Sequence, residues 1–314
     1  MDRIQPATSQ FEEVMETRVL TIFSDLIDIT KPRIMVLLLI STVCPMIMAS
    51  GGNVSFMLVL WTLIAGGLVS GSASALNCVW DRDIDAIMSR TKDRPLAAGR
   101  LSPTSAVLFA LCLGFLGIWI FLAHVNAYAA AVSLFGHLFY VLVYTMWLKR
   151  STPQNIVIGG AAGAVPPIVG WVAVTGQIDA AAILLFLIIF LWTPPHFWAL
   201  ALNKNEDYKR AGVPMLPVVS GERATHHQMV WYALALVVTS IWITYASPTL
   251  GVFSLIMLTG LSSVFAWKVI QLFQLGRVGA GTDIREKKAW DVFAFSLVYL
   301  ALFFIVLVID STLV

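Results

Sequence analysis

Charge is the first thing this chain is short of. Only 12% of its 314 residues are Asp, Glu, Lys or Arg, whereas 59% are hydrophobic. Soluble domains carry roughly a quarter charged residues, so a water-soluble globule is excluded. Cysteine is scarce as well. Cys44, Cys78 and Cys112 stand apart, with no C-x-x-C or Cys/His spacing, which argues against a disulfide framework or a zinc site and leaves them as buried apolar fillers. Residues 1–30 lack the apolar core of a secretory signal and hold Glu12, Glu13, Glu16, Asp25 and Asp28, too many acids for a transit peptide. The expectation is a cytoplasmic N-terminal segment over 1–30 that stays attached, followed by one membrane domain over 31–314. A net charge of +2 gives no argument for nucleic acid.

Long apolar runs are what the chain has in quantity. Stretches near the 17–25 residues that span a bilayer recur at about 34–50, 55–78, 104–122, 126–147, 154–175, 180–202, 229–246, 250–270 and 290–309. This predicts an all-α polytopic membrane protein of nine helices in one bundle. The 20 Lys and Arg lie before the first span and in 79–103, 148–153, 203–228 and 268–289, and none lies in the other loops or the C-terminal tail. The positive-inside rule then puts the N-terminus in the cytoplasm and the C-terminus on the opposite side.

The polar residues concentrate in two places. Asn77, Asp81 and Asp85 follow one another at four-residue steps at the end of the second run, with Arg90, Lys92 and Arg94 beyond. Four-residue steps drift only about 40° on a helix, so an amide and two carboxylates project to one side, while Asp83 points elsewhere. The C-terminal end of a helix repels carboxylates, so a cation is expected there. The Asn-x-x-x-Asp spacing returns after the sixth run as Asn203 and Asp207, beside Lys204, Glu206 and Tyr208. Two sparse acidic sites on one face suit Mg²⁺, which takes one or two carboxylates and completes its shell with water and substrate phosphate oxygens. Arg90, Lys92, Arg94, Lys149 and Arg150 would hold the rest of a diphosphate. The bland alternative is a set of solvated loop charges.

Pro166-Pro167 and Pro194-Pro195 fall inside the fifth and sixth runs, and Gly159 and Gly163 give a small-x-x-x-small spacing. The prolines predict two helix breaks around a central cavity, and the glycines predict close helix packing. His196, just after the second proline pair, either contacts a substrate or is satisfied by a neighbouring carbonyl; His137 has the same two readings. His124, His226 and His227 are expected in loops. Tyr144, Trp147, Trp192 and Trp198 are candidates to line the cavity.

From Thr30-Lys-Pro-Arg33 onward the chain resembles the UbiA superfamily of intramembrane prenyltransferases. Asn77-x-x-x-Asp81-x-x-x-Asp85 with Arg90-Thr-Lys-Asp-Arg-Pro95 carries the general likeness. Tyr144-Thr145, Leu148-Lys-Arg150, the run from Gln154 to Trp171, Trp192-Thr-Pro-Pro-His-Phe-Trp198, and Asp207-Tyr208 leading to Ala211-Gly-Val-Pro-Met-Leu-Pro217 resemble the branch that farnesylates protohaem. The resemblance implies a nine-helix bundle around a lipid-open cavity. The lack of a transit peptide points to a bacterial inner membrane, and the distribution of Lys and Arg puts both acidic clusters, and with them the active site, near the cytoplasmic face. It implies Mg²⁺, with farnesyl diphosphate and haem B as substrates, and a downstream haem A synthase or terminal oxidase assembly as partner. Asn77, Asp81 and Asp85 would bind one metal-diphosphate group, and Asp207 with its neighbours, Glu206 among them, the other. The second cluster departs from the family pattern, because Asn203 and Ala211 occupy the flanking steps. Two rivals stay open: an aromatic or quinone-precursor acceptor, and an anionic-lipid transporter, since broken helices and internal echoes are also transporter features.

Overall fold

The computed structural model describes residues 20–313. Among these, nine helices are long and apolar enough to cross a membrane: α1 Pro32–Ala49, α2 Phe56–Trp80, α3 Pro103–His124, α4 Ala127–Ser151, α5 Asn155–Thr175, α6 Ala180–Asn203, α7 Leu216–Ala246, α8 Val252–Arg277 and α9 Thr282–Leu313. No strand occurs among the described residues. The chain is an integral membrane protein of all-α class. Each helix packs against the next, and α9 returns to α1 to close a ring; α1 with α5 and α6 with α9 pack across it.

Two apolar cores divide the bundle. One joins α1 to α5 through Met46, Ala65, Phe121 and Val172. The larger is built mainly from α6 to α9, around Leu185, Trp198, Phe265, Tyr299 and Phe303. Residues 20–29 are helical and pack on the first half, with Ile29 among Ala75, Cys78 and Leu101, and Arg100 forking onto Asp25 at 3.0 Å. That part of the N-terminal segment is therefore joined to the bundle, and residues 1–19 lie outside the described range.

Helix ends follow their local chemistry. Asn126 accepts from the Ala129 amide at 2.8 Å, and Asp179 accepts from the amides of Ala181 and Ala182 at 3.1 and 3.2 Å. Each supplies an acceptor to amides that the first turn leaves unpaired. At the same end of the bundle Asp310 accepts from the Gly251 and Ser254 amides, tying the end of α9 to the start of α8.

The structure corrects several expectations. The proline pairs behave differently: α5 is two helices meeting at Ala164, just before Pro166-Pro167, whereas α6 runs through Pro194-Pro195 without a break. Prolines remove donors without forcing a break when packing holds the axis, and Pro194 and Pro195 are both buried. Helix α7 starts at Leu216, well before the apolar run, and bends at Gly221 with φ 77. His226 and His227 are therefore helical, and His226 is buried. Cys78 is buried, Cys44 is intermediate and Cys112 is exposed, as a thiol facing lipid can be.

In α4, residues Phe139–Leu148 form a π-helix, which hydropathy does not signal. Its i to i+5 repeat lines up Tyr140 with Thr145 and Tyr144 with Lys149. Tyr144 then packs directly against Gly159, where any Cβ would collide with its ring.

Gly170 in α5 lies so close to the Thr42 carbonyl of α1 that a Cβ there would collide with backbone, while Gly163 has nothing within 4 Å. Gly170→Ala should destabilise the protein by about 1–3 kcal/mol, and Gly163→Ala should change stability by less than about 0.5 kcal/mol. Thermal unfolding in detergent micelles measures both.

Candidate active site

Helix α2 ends at Trp80, Asp81 sits at the junction, and a short helix Arg82–Ile87 follows. Asn77, Asp81 and Asp85 are thus divided between two helices, not carried on one. They are still brought together and withdrawn from solvent, at 3%, 0% and 3% exposure. Asn77 Nδ2 donates to Asp81 Oδ2 at 2.7 Å and to Thr145 Oγ1 of the π-helix at 3.1 Å.

Buried carboxylates require charge partners, and the chain supplies them from separate elements. Lys149 at the end of α4 pairs with Asp81, and Arg94 from the following loop donates to Asp85 at 2.6 Å. Arg150 spans outward, forking onto exposed Asp83 and reaching within 3.7 Å of Asp81. Its two hydrogen bonds hold the Asp83 carboxyl down to about 2.

Lys31 adds a cation that residue spacing does not flag. Lys31 donates from Nζ to Asn77 Oδ1 at 2.7 Å. Its backbone is left-handed, at φ 56 and ψ 58, directly before Pro32, a conformation costly for a residue with a Cβ and found where surrounding structure imposes it. Burial lowers its ammonium below the usual value. The Thr30-Lys-Pro-Arg33 motif was the available signal, since a residue before proline is already barred from continuing a helix.

The second acidic segment is the short helix Asn205–Arg210 after α6. Ser89 donates to Asp207 Oδ2 at 2.5 Å, bridging it to the first cluster, and Arg210 pairs with the other oxygen. The Ser89 hydrogen bond, then Arg210, holds Asp207 below the ordinary carboxylate range. Beneath this bridge Ile84 and Met88 pack with Ile156, Ala201, Tyr208 and Met215. Arg90 lies beside the Tyr208 hydroxyl, and Tyr144 is within electrostatic reach of Asp81, Tyr208 and Arg90, between the two clusters. Asn203 donates to the Ala199 carbonyl of its own helix, and Lys92, Lys204 and Glu206 are exposed; the fold does not draw these four into the buried network.

No group of three His, Cys, Asp or Glu side chains converges among the described residues. One oxygen nevertheless stands out: Asp81 Oδ1 is buried and accepts no hydrogen bond. A buried carboxylate oxygen that accepts no hydrogen bond, beside a second carboxylate and an amide, fits a hard cation that takes its remaining ligands from water and substrate.

Deeper in the bundle, His196 Nδ1 lies 2.6 Å from Ser296 Oγ, and its ring stacks between Trp192 and Phe293 at 4.3 and 4.8 Å. Trp192 Nε1 donates to the Ser296 carbonyl at 2.9 Å. Trp198 is fully buried, and Trp147 is 64% exposed and so faces away from any cavity. His137 lies 3.3 Å from the Val69 carbonyl, its satisfied reading.

A family model described as the UbiA prenyltransferase family matches residues 37–285. The chain belongs to that family. It is 47% identical to a Protoheme IX farnesyltransferase of Symbiobacterium thermophilum over 92% of this chain and 94% of the relative, and 48% identical to one of Gloeobacter violaceus over 92% of each. Solved structures agree in fold. A digeranylgeranylglyceryl phosphate synthase superposes with a TM-score of 0.72 at 17% identity, covering 93% of this chain and 99% of that one. An Archaeoglobus fulgidus UbiA homolog bound to DMAPP and Mg²⁺ gives 0.61 at 14%, covering 88% and 99%.

Removing Lys149 strands a buried charge. Lys149→Met should destabilise the protein by about 3 kcal/mol, and adding Asp81→Asn should recover most of that loss. Denaturant unfolding of the two single variants and the double variant reads the coupling.

Proposed function

We propose that the chain transfers the farnesyl group of farnesyl diphosphate to a vinyl group of haem B, with addition of water, giving haem O. The observation that carries the transfer chemistry is the buried Asp81 carboxylate, one of whose oxygens accepts no hydrogen bond. The haem acceptor is supported by relatives nearly half identical over nine-tenths of the chain.

Asn77, Asp81 and Asp85 are the residues that would hold Mg²⁺ on this side, with Asp207 on the other. The ion would supply charge stabilisation for the diphosphate as the allylic carbon–oxygen bond ionises. The protein's own contribution is a set of cations already in place. Lys31, Arg94 and Lys149 neutralise the acids in the free enzyme; when substrate brings its own negative charge, the same groups turn to diphosphate oxygens. Such preplaced charge needs no reorganisation as the leaving group develops. Arg90 and Arg150 add to it from the rim. The faces of Tyr140 and Tyr144, whose centroids are 5.4 Å apart, lie beside the diphosphate end, where electron-rich rings favour an allylic cation. The vinyl carbon attacks that cation, and water captures the resulting benzylic-type cation. Apolar walls keep water from the allylic cation before transfer.

His196 is the proposed haem contact. Ser296 gives its single hydroxyl proton to the Phe293 carbonyl at 2.5 Å, so His196 must donate from Nδ1 to Ser296. Nε2 is left with a free lone pair and no hydrogen-bond partner among the described residues, the tautomer an axial iron ligand requires. His196 stands seven residues before Asn203, about 10 Å deeper along α6. A flat acceptor there would lie below the diphosphate. The active site is proposed to face the cytoplasm, in keeping with the distribution of Lys and Arg.

The test incubates purified protein with haem B, farnesyl diphosphate and Mg²⁺, with and without EDTA, and reads the extracted haem by mass spectrometry. Metal-dependent gain of farnesyl plus water is expected, with Asp81→Asn and Asp85→Asn each lowering turnover about 10²-fold or more. Diphosphate release with only an aromatic acceptor would overturn haem as substrate, and no release with any acceptor would overturn transferase chemistry. Ser296→Ala should weaken haem affinity by roughly tenfold while leaving farnesyl diphosphate binding unchanged, as read by optical titration of haem.

A further inference from the structure

The end of the bundle that carries the acidic clusters holds a second polar feature, on the far half. A cavity of about 510 Å³ opens between the start of α7 and the end of α8, lined by Ser220, Arg223, His227, Phe273 and Arg277. A smaller recess of about 250 Å³ shares Arg223, Phe273 and Arg277 and runs inward to His226 and Gly276. Glycine is needed there, because a Cβ on residue 276 would sit 2.8 Å from His226 Nδ1.

The charge in this cavity is unbalanced. The one acid on its rim, Glu222, is taken by Arg285. Arg223 and Arg277 have no carboxylate partner among the described residues, and Arg277 lies over the Phe273 ring at 5.9 Å. Two guanidiniums beside an aromatic wall lack a counterion.

The depth of the cavity identifies what supplies one. Along α7 an exposed apolar stripe runs from Trp231 through Val238 and Trp242 to Tyr245, at 61%, 53%, 64% and 76% exposure. From His227 to Tyr245 the helix rises about 27 Å, close to the hydrocarbon thickness of a bilayer. His227 then stands at one edge of the hydrocarbon layer and Tyr245 at the other, with Trp231 and Trp242 just inside the two edges. The cavity lies one turn outside Trp231, at headgroup level, with the stripe below it free to lie along acyl chains.

We infer that Arg223, Arg277 and His227 form a binding site for the phosphate of an anionic membrane phospholipid, outside the catalytic centre. Guanidiniums match phosphate oxygens bidentately, and basic pockets at the ends of membrane helices take anionic headgroups. A soluble phosphate or diphosphate shares the oxyanion chemistry, but it has no use for the apolar stripe.

The test is native mass spectrometry of the full chain released from nanodiscs of phosphatidylglycerol or of phosphatidylcholine, for the unmodified protein, R223Q, R277Q and the double variant. The expected result is phosphatidylglycerol retained over phosphatidylcholine by the unmodified protein. Retention should weaken roughly thirtyfold in the double variant, with lipid-free melting temperature unchanged. Equal retention of both lipids, or retention unaffected by the substitutions, overturns the site. Displacement of phosphatidylglycerol by millimolar inorganic phosphate or diphosphate overturns the lipid as occupant. Should the double variant not fold, the lipid comparison and the single variants decide alone. The readout involves no farnesyl transfer, so its failure and that of the enzymatic assignment are separate events.

Discussion

Two carboxylates held out of water where a membrane helix gives way to a short one are the constraint around which this molecule is organised. The dipole of α2 opposes Asp81 at its carboxyl end, and the low dielectric raises the cost of both buried charges. Relief comes from the stretch before α1, the loop after the short acidic helix, and the end of α4, which deliver Lys31, Arg94 and Lys149 to one place. At the other end of the bundle acids are used in the opposite sense. Asp179 and Asp310 meet helix N-termini, where the dipole welcomes them and bare amides need acceptors. The end whose buried acids need charge partners is the one proposed to react; the end whose acids accept from helix amides is structural.

The same arrangement sets a charged cluster against apolar packing. The Ser89 bridge to Asp207 and the packing of Ile84 and Met88 beneath it join the two polar segments above the membrane helices. Below them the divided α5 and the unbroken α6 run side by side. Gly159 and Gly160 let Tyr144 and Thr193 approach α5 closely, while His196 keeps its hydrogen bond to Ser296 within aromatic walls. Polarity thus falls off from the acidic end inward, in the order that a diphosphate, an allylic chain and a flat macrocycle would demand.

Much of this was legible in the residues, because the signals were periodic or chemical. Nine apolar runs gave nine spanning helices, and four-residue spacing marked Asn77, Asp81 and Asp85 although a helix junction falls between them. What escaped had tertiary causes. Pro194-Pro195 reads as a break, yet buried neighbours keep α6 continuous. The start of α7 is polar, so hydropathy could not find it, and His226 was misplaced with it. Lys31 reaches Asn77 through a left-handed backbone that no propensity predicts. Glu206 and Lys204 stand beside Asp207 in sequence, yet at the start of the six-residue helix both are exposed while Asp207 turns to Ser89.

The π-helical stretch of α4 has a consequence for how such chains can diverge. Wide turns place Tyr144 and Lys149 on one line by accommodating surplus residues within a span of fixed height. Residue number and angular position are therefore locked together between Phe139 and Leu148. Side chains there can be exchanged, but loss of a single residue would break the five-residue repeat that aligns Tyr144 with Lys149. Length polymorphism among related chains belongs in the loops, and a gap aligned inside this helix would signal a different active site.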